Sequence, residues 1–356
     1  MRRSFCYDNK TMTVTALEAA AHGWGIIGHE HALERLRRAL ASQQVRHAYL
    51  FTGPDQIGKT LLAQRFAQAL LCMGGPDPRQ APLNPCQRCL ACRKVLHGNH
   101  PDVHVVARPP DKQFILIDQI RALQSEAARH ALEGRYKIFL ILGAHEMNSQ
   151  AANCLLKTLE EPEPGVVLLL TAPERGLLLP TILSRVQHIP LHLLSTAQIR
   201  QALESYWEVE PAEAELIAAL ASGRMGWAVR AVEDEQLLVE RREQLELLAR
   251  LPGQGRAERF AIAQRLSGEP ERLRQLLELW LLWWRDVLLM ASGGQDLIVN
   301  VDMRELLQKQ TALLGAAGAR HMIYAILRTL EALDQNVNPR AALEVLMLDL
   351  PLLSRV

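Results

Sequence analysis

The sequence has almost no excess charge: its 40 lysines and arginines are balanced by 39 aspartates and glutamates, for a formal net charge of +1. Such a chain has no overall field to attract nucleic acid or an anionic membrane, so any such contact must come from a local patch. The sequence also lacks an apolar run of the ~20 residues that span a bilayer. Residues 1–10 begin basic with no apolar run behind them, which argues against a signal peptide. We therefore expect a cytoplasmic protein without a membrane partner.

Cysteine is scarce outside one short segment, which contains four of the six cysteines. This grouping favours metal binding in a reducing compartment over a disulfide framework. Four thiolates satisfy a tetrahedral structural Zn²⁺ ion and leave no open position for catalysis. An iron–sulfur cluster would need another cysteine soon after the third of the close-spaced ones, but Leu96 stands there. The predicted zinc ligands are Cys72, Cys86, Cys89 and Cys92. Three histidines remain alternatives for the fourth ligand, namely His97, His100 and His104.

A phosphate-binding loop of the pattern G-x-x-x-x-G-K-[ST] follows a short apolar strand, 48–52, and precedes an amphipathic helix, 60–71. The glycines let successive N–H groups face one anion, and the helix start adds its positive dipole end. Lysine would reach the outer phosphates of ATP or ADP, and threonine would hold Mg²⁺. The alternative is a glycine-rich turn without a ligand. The loop residues are Gly53, Pro54, Asp55, Gln56, Ile57, Gly58, Lys59 and Thr60.

The strand predicted over 137–141 lacks the acidic residues that a phosphate-loop ATPase carries at its end. An Asp there assists Mg²⁺ and a Glu polarises the attacking water, whereas this chain has Leu142 and Gly143. Glu146 is the nearest carboxylate and is displaced by three residues. We therefore expect nucleotide binding with weak or absent hydrolysis.

Apolar strands and helices alternate up to about residue 191, which predicts an α/β domain with a parallel sheet. Beyond that point the patterns are helical. Trp280, Trp283 and Trp284 fall on one predicted helix, where core packing is expected and a partner-binding face is the alternative.

The order of the motifs resembles bacterial clamp-loader subunits of the AAA+ class over roughly residues 23–230. The similarity rests on the phosphate loop, the three-cysteine loop, the segment 152–162 (ANCLLKTLEEP) and the segment 181–185 (TILSR). In that family the gamma/tau motor subunits keep Asp-Glu after the strand, and the delta-prime type commonly lacks it. Leu142 and Gly143 therefore point to the delta-prime type. A gamma/tau-like motor and a stand-alone zinc-dependent nucleic-acid-binding module are the alternatives.

The resemblance implies a AAA+ core at 22–192, which includes the zinc module at 72–92, a helical lid at 193–250 and a helical oligomerisation (collar) domain at 251–356. Residues 1–21 carry no strong pattern and are expected to form a loose extension. It implies gamma/tau and delta subunits as partners, with the sliding clamp and primer-template DNA reached through the complex. It also implies that Arg185 acts as an arginine finger in a neighbour's nucleotide site. Gly226 stands where motor subunits carry a phosphate-contacting Arg, and Val186 where Cys is usual.

Overall fold

The computed structural model describes residues 23–351, except for 76, 78, 79 and 336 and for the side chains of 270 and 271. The expected extension at 1–21 lies outside the described residues. Two compact units are present. The first comprises the described parts of 1–214 and 221–229, and the second comprises 215–220 and 230 onward. No helix in the described part of the chain is both long and apolar enough to cross a bilayer.

The first unit contains a five-stranded sheet of order β2-β3-β4-β1-β5, in which every neighbouring pair is parallel. The strands are β1 (Ala48–Thr52), β2 (Val103–Val106), β3 (Lys137–Ile141), β4 (Val166–Ala172) and β5 (Gln187–Pro190). The predicted α/β class with a parallel sheet is thereby confirmed. Strand β2 was not predicted from the sequence.

Helices cover both faces of this sheet. The helices up to residue 233 are α1 (Glu30–Ala41), α2 (Lys59–Leu71), α3 (Leu90–Leu96), α4 (Ile117–Ala127), α5 (Ser149–Glu160), α6 (Pro180–Leu183), α7 (Thr196–Tyr206), α8 (Pro211–Ala221) and α9 (Met225–Glu233). Tyr49 and Phe51 of β1 pack with Phe66 of α2 on one face, while Leu50 packs with Phe139 on the other. Strands buried on both sides read as continuous apolar runs, which is why β1, β3 and β4 were recognisable.

The second unit is helical in its described part. Its helices are α10 (Glu235–Arg250), α11 (Arg256–Leu266), α12 (Pro270–Ala291), α13 (Arg304–Asp334) and α14 (Pro339–Asp349). Helix α13 is interrupted at Gly315, whose φ of 60° is non-helical. Trp280, Trp283 and Trp284 are all buried in the core of this unit, so the prediction of core packing is confirmed.

Candidate functional site

The phosphate loop connects the buried strand β1 to the start of α2. Gly53 has φ of 149°, and a Cβ there would lie 2.8 Å from the carbonyl oxygen of Leu191. Gly58 has φ of 110° and caps α2 from the left-handed region that glycine adopts at little cost. Both glycines of the motif are therefore required by the backbone path of this loop. Thr60, the second residue of α2, is exposed.

The Lys59 side chain folds against its own loop. Its Nζ atom donates to the carbonyl oxygens of Gly53 at 2.6 Å and Pro54 at 2.8 Å, and lies 3.2 Å from the Asp55 carboxylate. Burial lowers the pKa of Lys59, and the charge of Asp55 opposes this shift. The ammonium is thus held at the carboxyl end of β1, where ligands of open α/β sheets bind.

The carboxyl end of β3 presents no acidic side chain at the two positions where an ATPase carries them. The N–H of Gly143 donates to Oγ1 of Thr171 in the neighbouring strand β4 at 3.0 Å. The carboxylate of Glu146 lies 3.3 Å from Nε of Arg108. The only carboxylate close by in sequence is therefore engaged in an ion pair.

His145 lies near the phosphate loop, although the sequence suggested no role for it. Burial lowers the pKa of this histidine, and the charges of Asp55 and Lys59 both act on its ring. The signal was its position just after β3, because the carboxyl ends of parallel strands meet at one edge of a sheet.

Helix α9 contacts the phosphate loop directly through Gly226. The N–H of Gly226 donates to the carbonyl oxygen of Gln56 at 2.8 Å. A Cβ on Gly226 would lie 2.6 Å from that same oxygen, closer than real Cβ atoms approach. A side chain at position 226 would have to displace the backbone of the phosphate loop. The close approach of the two backbones therefore leaves no room for the arginine that motor subunits carry at this position.

The four predicted cysteine ligands lie together in one cluster. Their sulfur atoms are all within 4.8 Å of one another, and those of Cys72 and Cys89 are 4.0 Å apart. Sulfurs that share one tetrahedral ion lie about 3.8 Å apart, given a Zn–S distance of about 2.3 Å. A Cβ on Gly74 would lie 2.6 Å from the Cys86 sulfur, so this glycine leaves room for the cluster. The donor set and the spacing therefore fit a zinc ion.

Backbone N–H groups surround the sulfur atoms, as expected where negative charge is held. Cys72 accepts from the N–H groups of Gly74 and Cys86, both at 3.3 Å, and Cys86 accepts from that of Cys89 at 3.3 Å. The hydrogen bond with Cys92 and these N–H groups lower the pKa of Cys72 to about 4, against the effect of burial. The same contact raises the pKa of Cys92.

The histidines considered as alternative ligands are not members of this cluster. The ring of His100 accepts from the N–H of Asp102 at 3.1 Å, and His104 stacks on Phe139 with ring centroids 5.0 Å apart. His97 is the exposed cap residue at the end of α3. The fourth sulfur comes instead from Cys72, at the end of α2.

Arg185 lies at the amino-terminal end of the parallel strands, whereas the phosphate loop lies at their carboxyl end. It precedes β5, whose first residue Gln187 pairs with Tyr49 near the start of the parallel strand β1. The phosphate loop follows the other end of β1, where Thr52 pairs with Pro190. At about 3.3 Å per residue, the length of these strands separates the guanidinium from the loop of its own chain.

Comparisons with known proteins place the sequence in a family. Residues 28–195 match the family described as DNA polymerase III, delta subunit. The chain is 31% identical to DNA polymerase III subunit delta' of Bacillus subtilis over 320 residues, which cover 89% of this chain and 94% of that protein. It is 40% identical to subunit delta' of Pseudomonas aeruginosa over 51% of this chain and 54% of that protein.

More distant similarities extend over most of the chain. Subunit tau of Bacillus subtilis is 26% identical over 90% of this chain and 60% of its own length. Among solved structures, a gamma subunit-related protein of DNA polymerase III from Thermotoga maritima superposes with a TM-score of 0.44 and 19% identity, covering 89% of this chain and 98% of that one.

Proposed function

The chain belongs to the delta-prime family of DNA polymerase III clamp-loader subunits, and from that premise we propose that it supports ATP-driven loading of the sliding clamp onto primed DNA. Its direct partners in this proposal are gamma/tau and delta subunits, and it meets the clamp and the primer-template through the complex. The position of Arg185 is the observation that carries the proposal.

An arginine finger acts on the nucleotide of a neighbouring subunit. The side chain of Arg185 is 34% exposed, and the residue lies at the amino-terminal end of the strands, remote from its own phosphate loop. A planar, permanently charged guanidinium suits the charge that develops on a transferred γ-phosphate. A finger supplied in trans also makes hydrolysis depend on assembly, which suits a loader that must act only around clamp and DNA.

The phosphate loop in this proposal binds ATP or ADP without efficient turnover. Its backbone N–H groups and Lys59 would hold the phosphates, and the Thr60 hydroxyl would hold Mg²⁺. When bound, the metal would neutralise phosphate charge. Leu142 and Gly143 offer no carboxylate to assist the metal or to orient water, and Glu146 is paired with Arg108. Hydrolysis would then be left to the neighbouring motor subunits.

The zinc module and the helical C-terminal region serve structure and assembly in the same proposal. One Zn²⁺ ion on Cys72, Cys86, Cys89 and Cys92 would tie the 73–92 segment to the end of α2. In the second unit, several large apolar side chains remain exposed, which supports a role in subunit contact. Among them are Tyr324 and Leu327 on α13 and Val345 and Leu348 on α14.

The test is an Arg185→Ala variant in a clamp-loader complex reconstituted from purified subunits. We expect unchanged folding, zinc content and assembly, and a fall of clamp- and DNA-stimulated ATP turnover that approaches the ~10³-fold or larger effect of a finger at the site it serves. Arg175→Ala, at an exposed arginine of the loop before α6, is the matched control and should keep the unmutated rate. Turnover and clamp loading at the unmutated rate by the Arg185 variant would refute the proposal.

A further inference from the structure

The guanidinium of Arg185 is held by acceptors from two separate elements. Its Nη1 atom donates to the carbonyl oxygen of Thr181 at 2.9 Å and to Oγ of Ser184 at 3.0 Å. Its Nη2 atom lies 2.8 Å from Oε1 of Glu160, the last residue of α5. The first two contacts belong to the turn that carries Arg185 itself, so among the described residues Glu160 is the one outside this turn whose side chain holds the guanidinium.

We infer that Glu160 is a positioning residue for Arg185, an inference that rests on the proposed function. A guanidinium has five N–H donors, and the contacts with Thr181, Ser184 and Glu160 engage three of them. Two N–H groups remain, which is the number needed for a bidentate contact with a phosphate. The three acceptors thus fix the plane of the guanidinium and leave donors for a neighbour's nucleotide.

The ion pair orients the finger rather than stabilising the fold. Glu160 and Arg185 are 50% and 34% exposed, and exposed pairs of this kind contribute little to stability. Arginine has large rotamer freedom, and a guanidinium already held in place loses less of it on meeting a phosphate. Without Glu160, the entropy cost of ordering the guanidinium would add to the activation free energy of hydrolysis. The rate of hydrolysis would then fall, while the nucleotide affinity of the motor subunit would not.

The neighbouring residue provides a matched control. Glu161 is exposed, follows directly in the chain and makes no ion pair with Arg185 among the described residues. Its removal changes the local charge as much as removal of Glu160 does. A difference between the two variants therefore reports on the contact with Arg185 and not on the general potential.

The experiment compares Glu160→Ala, Glu160→Gln and Glu161→Ala in the reconstituted complex. For Glu160→Ala we expect kcat of clamp- and DNA-stimulated turnover to fall about threefold to tenfold, as suits the loss of preorganisation of one arginine, with KM for ATP unchanged. Glu160→Gln keeps an acceptor oxygen and should recover most of the rate. An unchanged or raised kcat for Glu160→Ala, or a fall of equal size for Glu161→Ala, would overturn the inference.

A double-mutant cycle separates this inference from the function on which it rests. In the Arg185→Ala background, Glu160→Ala should cause no further loss, because its effect acts through the guanidinium. A further loss of the same size would mean that Glu160 acts without Arg185 and would overturn the inference. If Arg185→Ala lowers turnover and Glu160→Ala does not, the positioning role fails and the finger stands. If Arg185→Ala has no effect, the proposed function itself fails.

Should Glu160→Ala fold poorly, Glu160→Asp replaces it in the same cycle, and its turnover is compared with that of Glu160→Gln. The shorter carboxylate of aspartate cannot span the 2.8 Å contact without movement, so Glu160→Asp should lower the rate where Glu160→Gln does not.

Discussion

The second unit should depend on one buried arginine, Arg259 of α11. The residue is only 2% exposed, yet it is charged. Its five N–H groups reach six carbonyl oxygens, three in the turn after α10 and three at the end of α14, with the Nε–H shared between two of those in the turn. They belong to Leu251, Pro252, Gln254, Met347, Leu350 and Pro351, at distances between 2.7 and 3.1 Å. Carbonyls at helix ends have no partner within the helix, and this one side chain supplies hydrogen bonds to such groups at the ends of two helices.

We expect Arg259→Met to lower the free energy of unfolding of this unit by about 3–5 kcal/mol, the usual cost of removing one partner from a buried charged network. Methionine keeps much of the length and apolar volume, so the loss reports on the six hydrogen bonds and not on a cavity. The expected loss of stability is smaller than the sum of the individual hydrogen-bond energies, because burial of the charged guanidinium itself costs free energy. With an m-value of about 2 kcal/mol/M in urea, a loss of 4 kcal/mol moves the midpoint by about 2 M.

Urea unfolding followed by tryptophan fluorescence is the assay, since Trp280, Trp283 and Trp284 lie in the core of the same unit. Arg256→Met, at an exposed position on the same helix, should change stability by less than about 0.5 kcal/mol and serves as the control. A loss below about 1 kcal/mol for Arg259→Met would refute the reasoning, because it would mean that the carbonyls find other partners. Since this unit is the proposed assembly domain, the variant should also lose complex formation at temperatures where it unfolds.

Three further predictions concern the first unit. Protein purified without added metal should contain about one zinc per chain by elemental analysis, and Cys72→Ser should lower that content; absence of zinc, or a disulfide among the four cysteines, would contradict the site. The isolated chain should bind ATP or ADP with Mg²⁺ but turn it over barely above background, and Lys59→Ala should abolish the binding; robust hydrolysis would favour a gamma/tau-like motor instead. Burial acts to raise the pKa of Asp102, but N–H groups of three successive residues from Leu132, at 2.6 to 2.8 Å, outweigh it and lower the pKa. The stabilisation by this carboxylate is therefore present at neutral pH and is lost as the pH falls below about 4 through the folded-state pKa; Asp102→Asn should be less stable than the unmutated protein at pH 7, and a deficit in the free energy of unfolding that does not narrow on acidification would count against this assignment.

Local patterns in the sequence were sufficient for the parts of this protein that depend on neighbours along the chain. The phosphate loop could be predicted because a strand, two glycines and a helix start within a dozen residues determine its path. The close-spaced cysteines Cys86, Cys89 and Cys92 could be predicted for the same reason. Strands β1, β3 and β4 are buried on both faces and stand out as apolar runs, whereas β2, an edge strand with only Val106 fully buried, does not.

Only the tertiary structure decided the features that join distant parts of the chain. It placed Cys72, and not one of the three histidines, beside the other three cysteines as the fourth candidate metal ligand, because α2 ends beside the cysteine loop. It brought Gly226 against Gln56 and Glu160 against Arg185, contacts that no spacing in the sequence encodes. It also placed Arg185 at the amino-terminal end of the strands, opposite to its own phosphate loop at their carboxyl end. Periodicity and motif spacing record which residues are close along the chain, whereas these contacts depend on the order and direction of strands in the sheet, which packing of the whole unit determines.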